Sequence, residues 1–224
     1  MKKVSVLLPA YNESSTIANC IKVYASHPSV GEVIVVANGC TDNTVEIARL
    51  CGANVIELKQ KGKGCAIAIG AKVGKFPLII CIDSDTPRPE MQTISLLLSK
   101  FPNENRIVKG TFDRSIHPGP VTDILIKPIF DTINHPLNRL KQPLSGIFAC
   151  NSKWLQTLDL PSGFGVDLQI MLFATKENIE IVEVDILNFE HKNRDWSHYI
   201  SMSKEIVDVL LKNEVISNSY KVYK

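Results

Sequence analysis

The chain has 224 residues, of which 45% are hydrophobic and 21% are charged, a composition that predicts one globular domain with a substantial core. The formal net charge of +2 is too small to indicate a nucleic-acid or membrane-surface partner. No apolar stretch approaches the roughly 18 residues of a membrane span, and the N-terminus lacks a signal-peptide pattern. The six cysteines form no C-x-x-C pair, which favours a reducing, cytoplasmic setting over a disulfide framework or a zinc site.

Strands and helices alternate along the first hundred residues. Asn12 is the predicted N-cap of the first helix, which carries apolar residues at helical spacing from Ile17 to Tyr24. This alternation predicts a parallel α/β sheet with right-handed crossovers. Apolar runs predict strands at residues 3–9, 32–37, 54–58, 77–82 and 106–110.

The second half is less regular, and no linker separates it from the first. Pro128 and Pro136 interrupt helical patches between residues 121 and 140. The tail at 196–213 predicts an amphipathic helix that packs on its own core, with a homodimer contact as the alternative. Its predicted inward residues are Ile200, Val207, Leu210 and Leu211. Further predicted elements are strands at 143–150 and 179–189, a short helix at 152–158, and a helix from 166 to about 176.

Two carboxylates, Asp83 and Asp85, follow the predicted strand at 77–82. Ligands of open α/β sheets bind outside the carboxyl ends of the strands, where this pair is expected. At a frayed strand end both side chains can turn toward one hard cation, Mg²⁺ or Mn²⁺. The alternative is that they cap the helix that opens near Pro89 and lie in water. The triplet alone does not decide between the two.

Three stretches in this order resemble the GT-A family of nucleotide-sugar glycosyltransferases. They are the opening strand and turn at 6–13, the second strand and turn at 35–42, and Asp83-Ser84-Asp85, which is similar to the D-x-D signature. The resemblance implies a metal-dependent transferase with a mixed, mostly parallel α/β sheet flanked by helices. It also implies a single domain over residues 1–224, with a Rossmann-like nucleotide-sugar half at 1–104, an acceptor half at about 105–195 and a helical tail at 196–224.

Motifs of the second half resemble, in order, the glucosyl-3-phosphoglycerate synthase family. That family transfers glucose with retention from a nucleoside diphosphate donor to 3-phosphoglycerate. The resemblance therefore implies a nucleotide-sugar donor, UDP-glucose, and a small, anionic hydroxyl acceptor. The matching motifs lie at residues 108–110, 121–128, 143–146, 163–167 and 191–193.

Roles for single residues follow from the same resemblance. It places Asp85, Asp167 and Lys63 in catalysis, and Asp85 with His191 on the metal ion. The implied donor-binding residues are Pro9, Ala10, Tyr11, Glu13, Asn38, Lys63, Asp83, Ser84 and Gly146. The implied acceptor-binding residues are Thr122, Gly163, Phe164, Gly165 and Asn193.

Ordinary explanations stand beside these roles. Lys63 is equally well a solvated surface lysine, and Asp167 a first-turn helix carboxylate. Asn38 begins an Asn-Gly turn that needs no ligand. If the reaction inverts configuration instead of retaining it, a protein base is required and Asp167 is the candidate.

One position departs from the synthase family. Pro120 stands two residues before Thr122, where the synthases carry an arginine, and proline has no donor for a phosphate or carboxylate. Arg114 or His117 would then have to supply the charge, or the acceptor is not 3-phosphoglycerate. Asp167 also stands where glutamate is usual, which shortens the side chain by one methylene.

Two other classes of protein stay open on the sequence alone. A nucleotidyltransferase also uses metal-bound carboxylates on an α/β unit, but it predicts a glycine- and arginine-rich loop where this chain has residues 9–13. A non-catalytic nucleotide-sugar-binding protein would need nearly the same residues as the enzyme.

Overall fold

A computed structural model describes residues 3–101, 105–113, 119–186 and 194–216. Within these ranges seven strands form one sheet, and helices cover both of its faces. The strands are β1 (Val4–Ala10), β2 (Val30–Asn38), β3 (Asn54–Leu58), β4 (Leu78–Cys81), β5 (Arg106–Thr111), β6 (Phe148–Asn151) and β7 (Glu180–Asp185). The helices are α1 (Ile17–Ala25), α2 (Thr44–Leu50), α3 (Lys63–Val73), α4 (Gln92–Ser99), α5 (Lys127–Thr132), α6 (Ser152–Thr157), α7 (Val166–Lys176) and α8 (Trp196–Lys212).

The sheet is mixed and mostly parallel, as predicted. Its strand order is β3-β2-β1-β4-β6-β5-β7. The pairs β1–β2, β2–β3, β1–β4 and β5–β7 are parallel, whereas β6 runs antiparallel to both β4 and β5. Because the chain winds outward from β1 to β3 and then returns to the other side of β1, the winding direction reverses between β1 and β4.

The core lies on both faces of the sheet. All seven residues of β1 are buried, so this strand is covered on each side, and its side chains alternate between two cores. Leu7 packs with Ile34 and Ile79 on one face, while Val6 and Leu8 face the other. Burial on both faces explains why the strand is apolar except at Ser5, whose hydroxyl donates to Glu32.

The end of β1 differs from its prediction. Helix α1 begins only at Ile17, and Asn12 takes a left-handed backbone conformation with φ of 55°. Its Oδ1 accepts a hydrogen bond from the Thr41 backbone amide at 2.8 Å, so Asn12 joins the turn after β1 to the turn after β2. The predicted N-cap at Asn12 is therefore wrong, since asparagine tolerates this conformation and uses its amide across the two turns.

Two predictions for the second half are corrected. The strand predicted at 143–150 is shorter, because only Phe148–Asn151 extends and Ser145 instead turns back, with its amide donating to the Gln142 carbonyl. Pro128 does not break its helix: a π-helical turn at Thr122–Ile126 runs directly into α5, where proline occupies the first turn.

The C-terminal helix α8 is present as predicted, and of its four predicted inward residues Leu210 is buried, Val207 is half-buried and the other two are exposed. It buries Ile206, Val209 and Leu210, whereas Ile200 is 56% exposed and Leu211 is 55% exposed. At about 100° per residue, the three buried side chains already define a narrow stripe that neither Ile200 nor Leu211 shares. The homodimer stays a prediction. None of the helices in the described ranges has the length and apolar composition that crossing a bilayer requires.

The buried sheet provides a matched test of the core. Ile80 of β4 has no exposed surface, whereas Ile124 is 71% exposed. Ile80→Ala should lower the free energy of unfolding by about 2–5 kcal/mol, because it leaves a cavity beside β1. Ile124→Ala should change it by less than about 0.5 kcal/mol. Urea denaturation of both variants measures the difference, and similar losses would contradict this description of the core.

Candidate active site

A cavity of about 910 Å³ opens at the carboxyl ends of β1, β2 and β4. It lies where the winding direction of the sheet reverses, which is the usual ligand position in open α/β folds. The two halves of the chain both contribute to its wall. Predicted site residues that line it are Pro9, Tyr11, Glu13, Asn38, Lys63, Asp83, Ser84, Asp85, Thr122, Gly146, Gly163, Phe164 and Asp167.

A three-residue ion cluster joins the two halves inside this cavity. Lys63, the first residue of α3, places its Nζ 2.8 Å from Asp83 Oδ1 and 2.9 Å from Asp167 Oδ2. Asp83 follows β4 and Asp167 stands in the first turn of α7. The side chain of Lys63 is only 12% exposed and that of Asp167 only 1%, so neither is the solvated surface group of the ordinary explanation.

Burial and charge act against each other in this cluster. Burial opposes the charged form of Lys63, but Asp167 and Asp83 outweigh it and raise the pKa of the amine. Burial raises the pKa of Asp167, which the neighbouring amines of Lys63 and Lys109 oppose. Oδ1 of Asp167 is buried without a hydrogen-bond partner among the described residues, so one carboxylate oxygen stays available to a ligand.

Glycines allow the backbone to approach this cluster. A Cβ on Gly146 would stand 2.1 Å from Asp83 Oδ2 and 2.3 Å from Lys63 Nζ, so no side chain fits there. A Cβ on Gly64 would stand 1.7 Å from the Pro161 carbonyl oxygen. The glycines flanking Lys63 therefore serve close packing of α3 on the loop at 161–165.

The strand ends are tied to each other by polar side chains. Ser84 is 2% exposed, and its Oγ donates to the Pro9 carbonyl at 2.6 Å, while its own carbonyl accepts from Thr16 Oγ1 at 2.8 Å. Asn38 Nδ2 donates to the Ala10 carbonyl at 2.8 Å, and Asn38 Oδ1 accepts from the Gly62 amide at 3.1 Å. Ser84 and Asn38 thus fix the shape of the cavity floor, whatever they contribute to binding.

Asp85 belongs to a second ion cluster, in which Arg194 is the cation. Arg194 Nη2 lies 2.7 Å from Asp85 Oδ2 and 3.5 Å from Glu13 Oε1. Burial alone would lower the pKa of Arg194, but the two carboxylates outweigh it and raise the pKa. Asp83 and Asp85 therefore point to different cations, and neither carboxylate is the simple helix cap of the alternative explanation.

Helix α8 closes the other side of the cavity. The Phe164 amide donates to the Glu205 carboxylate, and the Phe164 ring meets His198 edge to face at a centroid distance of 4.9 Å. A Cβ on Gly163 would stand 2.0 Å from Glu205 Oε2. The glycine loop predicted to border the acceptor is thereby held against α8.

Lys109 lies behind the cavity wall, and no role was predicted for it from the sequence. It is completely buried on β5, and its Nζ donates to the Ser145 carbonyl at 2.5 Å, next to Gly146. Burial lowers the pKa of Lys109 to about 8. The signal in the sequence was a single lysine inside the apolar strand run at 106–111, which is an unusual place for a charge.

Two predicted site residues do not line the cavity, and two lie outside the described residues. Ala10 is 1% exposed beneath the cavity floor, and Gly165 packs under α8, where a Cβ would stand 2.6 Å from Val209 Cγ2. His191 and Asn193 fall in a range that the structure does not describe, as do Arg114 and His117. The metal and acceptor roles of His191 and Asn193 stay predictions.

The cavity wall is acidic overall, which bears on the implied metal ion. Among the described lining residues, six are acidic and three are basic. A cavity with this excess of carboxylates repels a diphosphate unless a further cation is present. The residues 3–101, 105–113, 119–186 and 194–216 contain no group of three potential ligands, so Asp85 would hold a hard cation together with ligand phosphates. The acidic residues are Glu13, Asp83, Asp85, Asp167, Asp195 and Glu205, and the basic ones are Lys61, Lys63 and Arg194.

The fold and this site are those of a nucleotide-sugar glycosyltransferase. The chain belongs to glycosyl transferase family 2, whose model matches residues 5–158. Family membership confirms the predicted class of enzyme and favours it over a nucleotidyltransferase.

Within this class the chain is similar to glucosyl-3-phosphoglycerate synthases. It is 28% identical to the synthase of Mycolicibacterium smegmatis over 97% of this chain and 80% of the relative. The synthase of Petrotoga mobilis is 29% identical over 94% of this chain and 73% of the relative. The fold matches the Mycobacterium tuberculosis synthase in complex with Mn²⁺, UDP and glucosyl-3-phosphoglycerate, with a TM-score of 0.86 at 27% identity, over 95% of this chain and 80% of that one. The same synthase has also been solved with Mg²⁺ and UDP. The predicted GT-A fold is confirmed.

The Lys63 cluster predicts a pH-dependent loss of stability. Lys63→Met leaves Asp167 buried without its cation, so the free energy of unfolding at pH 7 should fall by about 3–5 kcal/mol. Because the pKa of the buried Asp167 is raised, the folded variant takes up a proton as pH falls, and this deficit should shrink between pH 7 and pH 5. Denaturant unfolding at both pH values measures the deficit.

Lys61→Met is the matched control, because Lys61 is an exposed lysine two residues earlier. It should cost less than about 1 kcal/mol at either pH. A Lys63→Met deficit that stays equal at pH 5 and pH 7 would show that uncompensated Asp167 charge is not its cause.

The buried Lys109 predicts a second dependence on pH, in the alkaline range. Its pKa in the folded chain is about 8, against an ordinary value of about 10.5. Between these pH values the unfolded chain binds more protons, so the stability contributed by Lys109 rises with pH. The free energy of unfolding of the wild type, minus that of Lys109→Met, should therefore increase from pH 7.5 to pH 9.5. For Lys72→Met, which alters an exposed lysine, the same difference should stay constant. An unchanged difference for Lys109→Met would contradict the lowered pKa of this buried amine.

Proposed function

We propose that this chain transfers glucose from UDP-glucose to a small hydroxyl acceptor that carries an anionic group, with retention of configuration and with Mg²⁺ or Mn²⁺. One observation carries the proposal. Lys63, Asp83, Asp167 and Gly146 meet in a cavity at the sheet's reversal point, with Asp85 beside them. The similar synthase of M. tuberculosis binds Mn²⁺ and UDP-glucose, together with phosphoglyceric acid or glycerol 3-phosphate.

The donor is proposed to lie over the ends of β1, β2 and β4. Pro9, Tyr11, Glu13 and Asn38 line the part of the cavity nearest β1 and β2, which suits the base and ribose. Tyr11 is 37% exposed, and Lys61 Nζ lies 4.0 Å from its ring centroid. This cation–π contact helps to fix the orientation of the ring. Ala10 and Ser84 would act from beneath, because both are buried and form the floor.

The diphosphate and sugar are proposed to lie beside the Lys63 cluster. The Lys63 ammonium supplies positive charge where the leaving diphosphate gains negative charge, and its two carboxylate partners hold it there in advance. Gly146 leaves room for the sugar directly against Asp83. A divalent ion bound at Asp85, with His191 as the predicted second ligand, supplies Lewis-acid neutralisation of the leaving group.

Asp167 is proposed to orient the transferred sugar. Its Oδ2 is occupied by Lys63, while its buried Oδ1 has no partner among the described residues and can accept a sugar hydroxyl. Since the ion pair with Lys63 keeps the carboxylate engaged, we favour retention, in which the leaving phosphate takes the acceptor proton on the same face. A general-base role for Asp167 would apply to an inverting reaction.

The acceptor is proposed to lie between the π-helical turn and α8. Thr122, Gly163 and Phe164 line this region, and Asn193 is predicted to join them, while Gly165 supports the loop from behind. Pro120 lines the same region, in the place where the resembling family has an arginine. The anionic group of the acceptor therefore needs another cation, and the donor side of the proposal does not depend on which residue supplies it.

The test combines binding and turnover. UDP at about 100 times its dissociation constant should add about 2.7 kcal/mol and raise the melting temperature by roughly 5–10 °C, but only with Mn²⁺ or Mg²⁺ present. Asp85→Asn should lose this metal-dependent rise, whereas Asp159→Asn, on the exposed surface, should keep it. Labelled UDP-glucose with 3-phosphoglycerate or glycerol 3-phosphate then reports transfer, and NMR of the product reports the anomeric configuration.

The outcomes separate the competing functions. Metal-dependent stabilisation by UDP without transfer to any anionic polyol would favour a nucleotide-sugar-binding protein. No response to UDP in either metal would refute the proposed donor. A product of inverted configuration would reassign Asp167 as the base.

A further inference from the structure

Arg194 stands where the site is expected to hold a metal ion. Its Nη2 contacts Asp85 Oδ2 at 2.7 Å, and Glu13 Oε1 lies 3.5 Å away. The side chains of Asp85 and Glu13 are 14% and 5% exposed and that of Arg194 is 37% exposed, so the ion pairs are partly shielded from solvent. An arginine keeps its positive charge throughout the physiological pH range, and it therefore neutralises these carboxylates as a cation would.

The structure fixes both carboxylate partners of this guanidinium and the backbone that carries it. Glu13 is anchored at the end of β1, where its backbone amide donates to Thr44 Oγ1 at 2.8 Å and its carboxylate accepts from Thr16 Oγ1 at 3.2 Å. Asp85 follows β4, the neighbouring strand. Arg194 itself directly precedes the N-cap of α8, where Asp195 Oδ1 accepts from the His198 amide at 3.0 Å.

We propose that Arg194 is the counter-ion of Asp85 in the metal-free protein, and that a divalent cation binds Asp85 by displacing it. This inference rests on the role of Asp85 as a metal ligand under the proposed function. A guanidinium and a divalent cation at bonding distance from one carboxylate repel each other strongly in a partly buried site. The guanidinium therefore leaves Asp85 and stays near Glu13, whose carboxylate is already fixed.

The exchange has a consequence for the order of binding. A cation that must first displace Arg194 binds the free protein more weakly than the carboxylate alone would allow. Donor phosphates add ligands and negative charge, so they make the exchange favourable. Arg194 is adjacent to the first turn of α8, and this helix carries the cavity residues His198 and Glu205. A movement of Arg194 on metal binding would therefore affect the position of this helix. Arg194 is thus a positioning residue that couples the metal to the donor.

The experiment titrates Mn²⁺ into metal-free protein without nucleotide and follows free Mn²⁺ by electron paramagnetic resonance. Arg194→Gln removes the competing charge and should bind Mn²⁺ about tenfold more tightly than the wild type. Arg194→Lys keeps the charge, and its affinity should lie closer to that of the wild type. Arg49→Gln breaks an exposed ion pair between Arg49 of α2 and Glu57 of β3 and should leave the affinity unchanged. Melting in EDTA confirms that each variant is folded.

The outcomes are decisive for the displacement. Equal affinity of the wild type and Arg194→Gln, with binding lost in Asp85→Asn, would overturn it and leave Asp85 as a ligand. Weaker binding by Arg194→Gln would also overturn it, because arginine would then help to hold the metal. Absence of Mn²⁺ binding in every variant would overturn both the displacement and the metal role of Asp85. Since the titration contains no donor or acceptor, a failure of the proposed transferase activity leaves its result intact.

Discussion

The ion pairs of Lys63 are the interaction on which the site depends. A single ammonium, nearly removed from solvent, is shared by a carboxylate after β4 and a carboxylate of α7, so it joins the first half of the chain to the second. A buried charge is tolerated only with such partners, because its desolvation is otherwise too costly. The halves therefore cannot separate without exposing or stranding these charges. The charges that join the two halves thus lie in the wall of the cavity and not in the apolar core.

Packing around this cluster leaves little freedom for the backbone. Gly146 abuts Asp83 and Lys63, Gly64 abuts the Pro161 carbonyl, and Gly163 abuts Glu205. A Cβ at any of these three glycines would clash with its neighbour, so only glycine allows the main chain to come this close. Lys109 supports the same arrangement from inside the sheet by bonding the Ser145 carbonyl. A site assembled from two halves of a chain is in this way held to one geometry by sterics and by buried charge together.

The sequence predicted the fold well where local signals and tertiary environment agree. Mostly apolar runs identified β1 and β4, which are buried along most of their length, and the edge strand β3 has the predicted bounds. The local predictions were wrong where contacts between distant residues determine the backbone. Asn12 accepts a hydrogen bond from the Thr41 amide, and the Ser145 carbonyl accepts one from Lys109. Most of the site residues that were predicted from the order of the motifs do line the cavity. The ion pairs of Arg194 and the buried bond of Lys109 were missed, since nothing local reveals which carboxylate or carbonyl a cation will meet.

The start of α3 shows why this cavity depends on added positive charge. Many nucleotide-binding folds place phosphates on the free amides of a helix N-terminus, where the helix dipole stabilises them. Here the Gly64 and Cys65 amides both donate to the Ser162 carbonyl, at 2.8 and 3.2 Å, so a protein loop occupies the position that a phosphate takes elsewhere. The dipole of α3 is consequently used for folding, to dock the second half of the chain. The charge on a bound diphosphate must then be balanced by side chains and ions, and affinity for the nucleotide becomes sensitive to their supply.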